Sequence, residues 1–335
     1  MKIVIYDLEE WEHDRIPDFG SEHEVVLTDH SLTADTARQH ADADIISLFV
    51  YSRPDVQTLQ AFEHLRLIAT RSTGVDHIPT EHCREHGIAI ANVPSYGSHT
   101  VAEHVFALLL CISHRLEDAI DRTRKGDFTA RGLNGFDLAG RTMGVIGTGD
   151  IGEHTARIAR GFDMRVLGFD VKPRPEIAEQ IGFEYVDMDR LLAESDVISL
   201  HVPASDQTEG LISGTEFQKM KPGCVLINTS RGIIIDTQAL IRALVEGPLA
   251  AAGLDVLPRE PVIREDAEVL RAVYEEKHDL RTLLADEVLI RLRNVVVTPH
   301  SAFHTREAVH RIIDTTVDNI ASFIKQDAKN LVTTG

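Results

Sequence analysis

Short runs of β-branched and other apolar residues alternate with helix-compatible stretches along almost the whole chain. The first series of runs is KIVIYD, EVVLTD, ADIISLFV, RLIATRST and IAIANVP, and the second is TMGVIGTG, RVLGFD, DVISLHV, CVLINTS, AAAGLDV and NVVVTPH. Strands that alternate with helices usually pair in parallel, with the helices packed on the sheet. Because the 335 residues exceed the size at which single cores stop growing, we predict an α/β fold with two doubly wound parallel-sheet domains.

Two long helical patterns set the predicted domain boundaries. The first, VAEHVFALLLCISHRL, lies between the two series, and the residues from Thr100 to Glu103 have the form of a capping box. The second, HTREAVHRIIDTTVDNIASFIKQ, follows the last predicted strand and is amphipathic with a helical period. If it packs back on the first sheet, the first domain is discontinuous. We therefore predict one domain over residues 1–99 and 302–335, and a second over residues 100–301.

Charge and composition exclude several classes of function. The formal net charge of -19 repels nucleic acid phosphates, so no nucleic acid partner is expected. No apolar run is long enough to span a membrane, and the start MKIVIYDLEEWEHD lacks the apolar core of a secretory signal. The three cysteines, Cys83, Cys111 and Cys224, form neither a C-x-x-C pair nor a disulfide framework. We expect a cytoplasmic protein without a metal site.

The hexapeptide GTGDIG at residues 147–152 lies between an apolar strand and a helical segment. In this context Gly147 permits a tight turn, Gly149 lets the backbone approach a pyrophosphate, and Gly152 lets helix and strand pack closely. Asp170 ends the next predicted strand, where a carboxylate accepts hydrogen bonds from ribose hydroxyls and repels a 2′-phosphate. The pattern predicts a site for NAD rather than NADP; the alternative is a plain glycine turn with Asp170 as a strand-end cap.

Three further residues follow or lie just beyond predicted strands and suit acid–base chemistry on a carboxylate. Arg231, in INTSRG, offers a planar fork for a carboxylate. His300, in VVVTPH, can give and take a proton near neutral pH, and Glu260, in LDVLPREP, can pair with it and raise its pKa. Each also has an ordinary interpretation, as a surface arginine, one loop histidine among 17, or a solvated carboxylate. Their shared position beyond strand ends, where open α/β sheets bind ligands, favours a functional set.

Seven segments resemble the D-isomer-specific 2-hydroxyacid dehydrogenases, and most of all their D-lactate dehydrogenase branch. They occur in the family's order and cover essentially the whole chain: ATRSTGVDHI, NVPSYGSHTVAEHVFALLL, GVIGTGDIG, SLHVPASDQT, KPGCVLINTSRG, GLDVLPREP and VVVTPHSAFHT. The resemblance implies an NAD-dependent oxidoreductase acting on CH–OH groups. It also implies a homodimer, and a Rossmann NAD-binding domain inserted in a discontinuous, flavodoxin-like substrate domain.

The resemblance further implies roles for individual residues. Arg231 would bind and orient the substrate, His300 would donate the proton in the reducing direction, and Glu260 would be its partner. Beside the three glycines and Asp170, the implied cofactor contacts are Asp150, Ile151, Val202, Pro203, Thr208, Thr229, Ser230, Arg231 and Asp255. The implied substrate contacts, beside Arg231 and His300, are Thr73 and Gly74 as a backbone cradle for the carboxylate, with Phe49, Tyr96 and Phe303 lining the pocket. For these three aromatic residues, core packing is an equal alternative.

The substrate expected from this resemblance is pyruvate, reduced to D-lactate. Ala302 and Phe303 after His300 resemble the lactate branch, whereas His304 and Phe49 depart from residues that are common there. Other 2-keto acids of the family therefore stay open: glyoxylate or hydroxypyruvate, the keto acid of hydroxyisocaproate, and the phosphoglycerate type. A dinucleotide-sensing, corepressor-like binding protein of the same fold is the alternative from another class.

Overall fold

The computed structural model describes residues 1–258 and 280–332. By its internal contacts, the chain divides into two compact units. The first unit comprises Met1–Gly97 with His304–Gly335, and the second comprises Ser98–Phe303. The first unit is therefore built from both ends of the chain.

The first unit is a helix-flanked parallel sheet. Its strands are β1 (Lys2–Ile5), β2 (Glu24–Leu27), β3 (Ile45–Leu48), β4 (Leu67–Thr70) and β5 (Ala89–Ala91). Their order is β2-β1-β3-β4-β5 with parallel neighbours, which is the flavodoxin-like order. The helices are α1 (Ala34–Gln39), α2 (Val56–Leu59), α3 (Thr80–Glu85) and the last helix (Arg306–Ile324), with a 3-10 turn at Glu10–Arg15. The last helix packs against β4, so the C-terminal segment completes this unit.

Both faces of this sheet are buried. Val4, Ile46 and Ile68 occupy matching register positions and point into one apolar cluster, whereas Ile3 and Ile45 contribute to the cluster on the other face. Strands covered on both faces read as continuous apolar runs, as KIVI and IISL do.

The second unit holds a larger parallel sheet. Its strands among the described residues are β6 (Thr142–Ile146), β7 (Arg165–Phe169), β8 (Glu184–Tyr185), β9 (Val197–Leu200), β10 (Cys224–Asn228), β11 (Leu249–Leu254) and β12 (Val295–Val297). They are ordered β12-β11-β10-β9-β6-β7-β8, with parallel neighbours. The helices are α4 (Ser98–Ser113), α5 (Leu116–Arg124), α6 (Asp150–Gly161), α7 (Pro175–Ile181), α8 (Met188–Glu194), α9 (Gly214–Lys219), α10 (Thr237–Val245) and α11 (Leu280–Arg291), with a 3-10 turn at Gly232–Ile234.

The predicted fold class of two doubly wound parallel sheets is confirmed, with three local differences. Strand β8 was not predicted, because a strand of two residues has no periodicity to detect. The predicted capping box at Thr100 is wrong, since α4 begins at Ser98 and Thr100 is buried within its first turn. The predicted long helix is also interrupted: Arg115 has a left-handed backbone (φ 52°), and α5 starts after it, at Leu116.

Two further observations bear on the environment of the protein. Among the described residues, no helix has both the length and the mean hydropathy needed to cross a bilayer. Cys83, Cys111 and Cys224 are all unpaired. Burial raises the pKa of the Cys83 thiol to about 11 and that of Cys224 to about 12, so both stay protonated and unreactive at neutral pH.

Candidate active site

The carboxyl ends of the second sheet carry most of the predicted site residues. Because neighbouring strands are parallel, these ends lie along one edge of the sheet. The strand order reverses at β6, with β7 on one side and β9 on the other, and open α/β sheets bind ligands in the crevice at such a reversal. The glycine loop follows β6 directly, whereas Arg231 and His300 follow β10 and β12.

The glycine loop is shaped for an anion. Gly147 has φ 90°, a conformation that residues with a Cβ rarely adopt, and a Cβ on Gly152 would lie 2.0 Å from the Gly147 carbonyl oxygen. Helix α6 therefore starts tight against the end of β6. Its N-cap is Gly149, and a Cβ at this position would have no atom within 4 Å. No side chain caps the helix. The first amides of α6, at Asp150 and Ile151, are thus directed toward a ligand position, which suits a pyrophosphate.

Asp170, at the end of β7, is fixed beside this loop. Its carboxylate accepts hydrogen bonds from the backbone amides of Thr148 at 2.7 Å and Lys172 at 2.8 Å. Partial burial raises the pKa of Asp170, but these hydrogen bonds and the nearby Arg174 outweigh it and hold the pKa below its ordinary value. The Arg174 guanidinium in turn donates to the Thr148 carbonyl. An ionised carboxylate therefore lies beside the glycine loop, as the predicted contact with ribose hydroxyls requires.

The loops after β9 and β10 complete the cofactor side of the sheet edge. Val202 and Pro203 follow β9, and the Thr208 hydroxyl closes that loop by donating to the Pro203 carbonyl at 2.6 Å. Thr229 follows β10; its hydroxyl is buried and has no hydrogen-bond partner among the described residues. Buried hydroxyls are normally paired, so this one is suited to a ligand. The glycine cradle, the acid at β7 and the orphaned hydroxyl together fit a dinucleotide.

Arg231 lies in a short turn built by Asn228. The Asn228 side-chain oxygen accepts from the amide of Ser230 at 3.0 Å and from its hydroxyl at 2.8 Å, while its amide group donates to the Arg231 carbonyl at 3.0 Å. Asn228 is 1% exposed and was not predicted as a site residue. A strand-end asparagine two residues before a serine is typical of an Asx turn, which is the signal that identifies it.

The turn of Arg231 contacts the loop after β11. A Cβ on Gly232 would lie 2.3 Å from backbone atoms of Leu257 and Pro258, so only glycine allows this approach. Glu260, predicted as the partner of His300, lies just beyond Pro258 and outside the described residues.

His300 follows β12 in a strained turn. Its φ is 53°, in the left-handed region that non-glycine residues seldom occupy. Its amide donates to the Thr298 carbonyl at 2.9 Å, and its ring lies 6.5 Å from the Phe303 ring, centroid to centroid, in an edge-on arrangement. The next two amides, of Ser301 and Ala302, each donate at 2.9 Å to the carboxylate of Asp255, at the end of β11. Backbone strain held by neighbouring contacts is common at functional sites.

The remaining predicted substrate residues belong to the first unit. Phe49, Thr73 with Gly74, and Tyr96 follow β3, β4 and β5, so they occupy the carboxyl edge of that sheet. The Phe49 amide donates to Asp7 at 3.0 Å, the Thr73 hydroxyl donates to the Val93 carbonyl at 2.7 Å, and Arg311 donates to the Tyr96 carbonyl. Thr73 is exposed at the surface of its unit, as a carboxylate cradle requires.

The chain is similar in sequence to proteins of known function. The profile described as "D-isomer specific 2-hydroxyacid dehydrogenase, NAD binding domain" matches residues 106–302. The chain is 35% identical to a D-lactate dehydrogenase of Escherichia coli over 335 residues, covering 97% of this chain and 97% of that protein. It is 34% identical to a glyoxylate reductase of Thermococcus litoralis over 327 residues, covering 96% and 88% of the two chains.

A solved structure extends the likeness to the fold. The D-lactate dehydrogenase of Aquifex aeolicus, solved with NAD and lactic acid, is similar with a TM-score of 0.84 and 33% identity over 99% of each chain. The fold, the NAD-binding profile and these relatives agree. The chain therefore belongs to the D-isomer specific 2-hydroxyacid dehydrogenase family, as an NAD-dependent oxidoreductase that acts on CH–OH groups.

Proposed function

We propose that this enzyme is a D-lactate dehydrogenase that reduces pyruvate with NADH and a proton to D-lactate and NAD. The observation that carries the proposal is the edge of the second sheet, where Arg231 and His300 follow β10 and β12 on the same side as the NAD-binding glycine loop. A guanidinium for the carboxylate and an imidazole for the keto oxygen are what this reaction needs.

In the proposed mechanism, Arg231 binds the substrate carboxylate through two N–H groups and polarises the adjacent carbonyl. Bound NADH supplies the hydride. His300 holds a proton toward the keto oxygen and transfers it as negative charge develops there, and Glu260 keeps the imidazole protonated and oriented. In the oxidising direction His300 takes the proton back.

We propose a substrate domain over residues 1–99 plus 302–335 and an NAD-binding domain over residues 100–301, and the second of these also supplies Arg231 and His300. The amides of Thr73 and Gly74 cradle the carboxylate, and Phe49, Tyr96 and Phe303 line the pocket. Val202, Pro203, Thr208, Thr229, Ser230 and Asp255 complete the cofactor contacts. Apolar walls around a few polar groups are typical of sites for small organic acids.

Two of the relatives support pyruvate as the substrate, since both carry the name D-lactate dehydrogenase. The Thermococcus relative makes glyoxylate the second candidate. A spectrophotometric screen of NADH oxidation across pyruvate, glyoxylate, hydroxypyruvate, 2-ketoisocaproate and phenylpyruvate decides between them. We expect the largest kcat/KM with pyruvate; a larger value with any other acid overturns the assignment.

Asp170 is expected to set the preference for NADH over NADPH. The Asp170→Ala variant removes the repulsion of a 2′-phosphate and leaves Arg174 beside the loop. Because a hydrogen bond to a charged group contributes about 1.5–3 kcal/mol, the ratio of kcat/KM with NADPH to that with NADH should rise by about tenfold or more. Glu179→Ala, an exposed acid on α7, is the control and should not change the ratio. An unchanged ratio in Asp170→Ala counts against this role.

We further propose that the enzyme is a homodimer in the cytoplasm. The apolar helix α4 is covered by α6 and β11 of its own unit, so it does not itself need a partner. Exposed apolar side chains occur next to it instead, at Leu116, Ile120 and Phe128, the last 82% exposed. Light scattering should give twice the chain mass of 37.2 kDa, and the single chain mass contradicts the dimer.

The unpaired cysteines agree with the proposed cytoplasmic location, because the cytoplasm is a reducing compartment.

A further inference from the structure

Helix α4 brings a histidine to the carboxyl edge of the second sheet. Leu108 of α4 packs against β11, where a Cβ on Gly253 would lie 3.0 Å from the Leu108 Cβ. His104 is one helical turn before Leu108 and on the same face, so it reaches the sheet just past the end of β11. There its Nε2 atom lies 3.0 Å from the Thr298 hydroxyl and 3.4 Å from the Asp255 carboxylate.

Asp255 links this histidine to the turn that holds His300. Its side chain is 0% exposed, and its two oxygens accept from the Ser301 and Ala302 amides at 2.9 Å and from the Thr298 hydroxyl at 2.5 Å. Burial raises the pKa of Asp255, but the hydrogen bonds from His104, Thr298 and the two amides outweigh it and lower the pKa. A buried carboxylate of this kind is stable only while its donors are present.

The donor set places a hydrogen on the Nε2 atom of His104. An ionised carboxylate only accepts hydrogen bonds, so Thr298 uses its one hydroxyl hydrogen on Asp255. The Thr298 oxygen is then left as an acceptor toward His104, which requires a hydrogen on the His104 Nε2 atom. His104 thus donates to Thr298 and Thr298 donates to Asp255, which also accepts from the two amides next to His300.

We propose that His104 is a positioning residue for His300: through Thr298 and Asp255 it holds the left-handed turn that directs the imidazole at the substrate. The inference rests on the proposed role of His300 as the proton donor. Without the His104 donor, the Thr298 hydroxyl loses the partner that holds it against Asp255, and the clamp of Asp255 on Ser301 and Ala302 loosens. Because φ 53° is disfavoured for histidine, a looser clamp lets the His300 turn relax.

The test compares His104→Leu, which removes the donor at similar volume, with His104→Gln, which keeps an N–H near the Nε2 position. Thr298→Val removes the linking hydroxyl and is the second variant. His64→Leu, an exposed histidine before β4, is the matched control. For each protein, kcat and KM for pyruvate, the solvent deuterium isotope effect on kcat, the NADH dissociation constant and Tm are measured, together with His300→Ala.

We expect kcat to fall by roughly 10- to 100-fold in His104→Leu and Thr298→Val, since small misplacements of catalytic groups have effects of this size. The isotope effect should rise, kcat should fall by a larger factor than the affinity for NADH, and His104→Gln should recover most of kcat. Wild-type kcat in His104→Leu or Thr298→Val overturns the inference. So does equal loss in His104→Leu and His104→Gln with a lowered Tm, which indicates a structural role. An inactive wild type, or an active His300→Ala, overturns the proposed function itself and the inference with it.

Discussion

Replacing His300 with alanine is expected to lower kcat for pyruvate reduction by about 10²- to 10⁴-fold, the range supplied by a positioned general acid. The dissociation constant of NADH should change little, because the glycine loop and Asp170, the proposed dinucleotide contacts, follow β6 and β7 rather than β12. Stopped-flow kinetics with pyruvate and fluorescence titration with NADH measure the two quantities separately.

His64→Ala serves as the control for this experiment, since it removes an exposed imidazole without a place in the site. Turnover by His300→Ala within tenfold of the wild type contradicts the proton-donor role. Loss of NADH binding in the same variant contradicts the assignment of cofactor binding to the residues after β6 and β7 and of proton donation to His300.

The Arg231→Lys variant is expected to bind pyruvate poorly although the positive charge is kept. Lysine offers a point charge without the planar fork, so one charge-assisted hydrogen bond to the carboxylate is lost. At about 1.5–3 kcal/mol for such a bond, KM for pyruvate should rise about 10- to 150-fold. Steady-state kinetics at saturating NADH measure this change.

Arg293→Lys is the matched control, because Arg293 is exposed and precedes β12 at the opposite edge of the sheet. Its KM should equal that of the wild type. An unchanged KM in Arg231→Lys argues against the clamp and directs attention to Thr73 and Gly74 as the main carboxylate contacts.

The fold was predictable because its strands are buried on both faces and therefore appear as continuous apolar runs. The glycine loop was predictable for a related reason: strand, turn, helix and the acid at β7 are local in the sequence. The errors were local too. Helix α4 begins two residues before the apparent capping box at Thr100, and Arg115 ends it through a left-handed backbone that no pattern of residues indicates.

The contacts that support the proposed catalytic residues were harder to predict. The Asn228 side chain forms hydrogen bonds to Ser230 and Arg231, within three positions of itself, so the segment INTSRG is enough to predict its turn. The contact between His104 and Thr298 spans 194 residues and depends on the close approach of α4 to Gly253. Nothing local to His104 distinguishes it from the other histidines, and only the folded chain brings it to Asp255.

The proposed mechanism requires Arg231 and His300 to act on one substrate molecule beside NAD. A crystal structure with NADH and oxamate, an analogue of pyruvate that is not reduced, measures this directly. We expect the Arg231 guanidinium to make two hydrogen bonds to the analogue and a ring nitrogen of His300 to lie within about 3.2 Å of its amide oxygen, which corresponds to the keto oxygen of pyruvate. An analogue that binds beside the nicotinamide with neither residue in contact would rule out this mechanism.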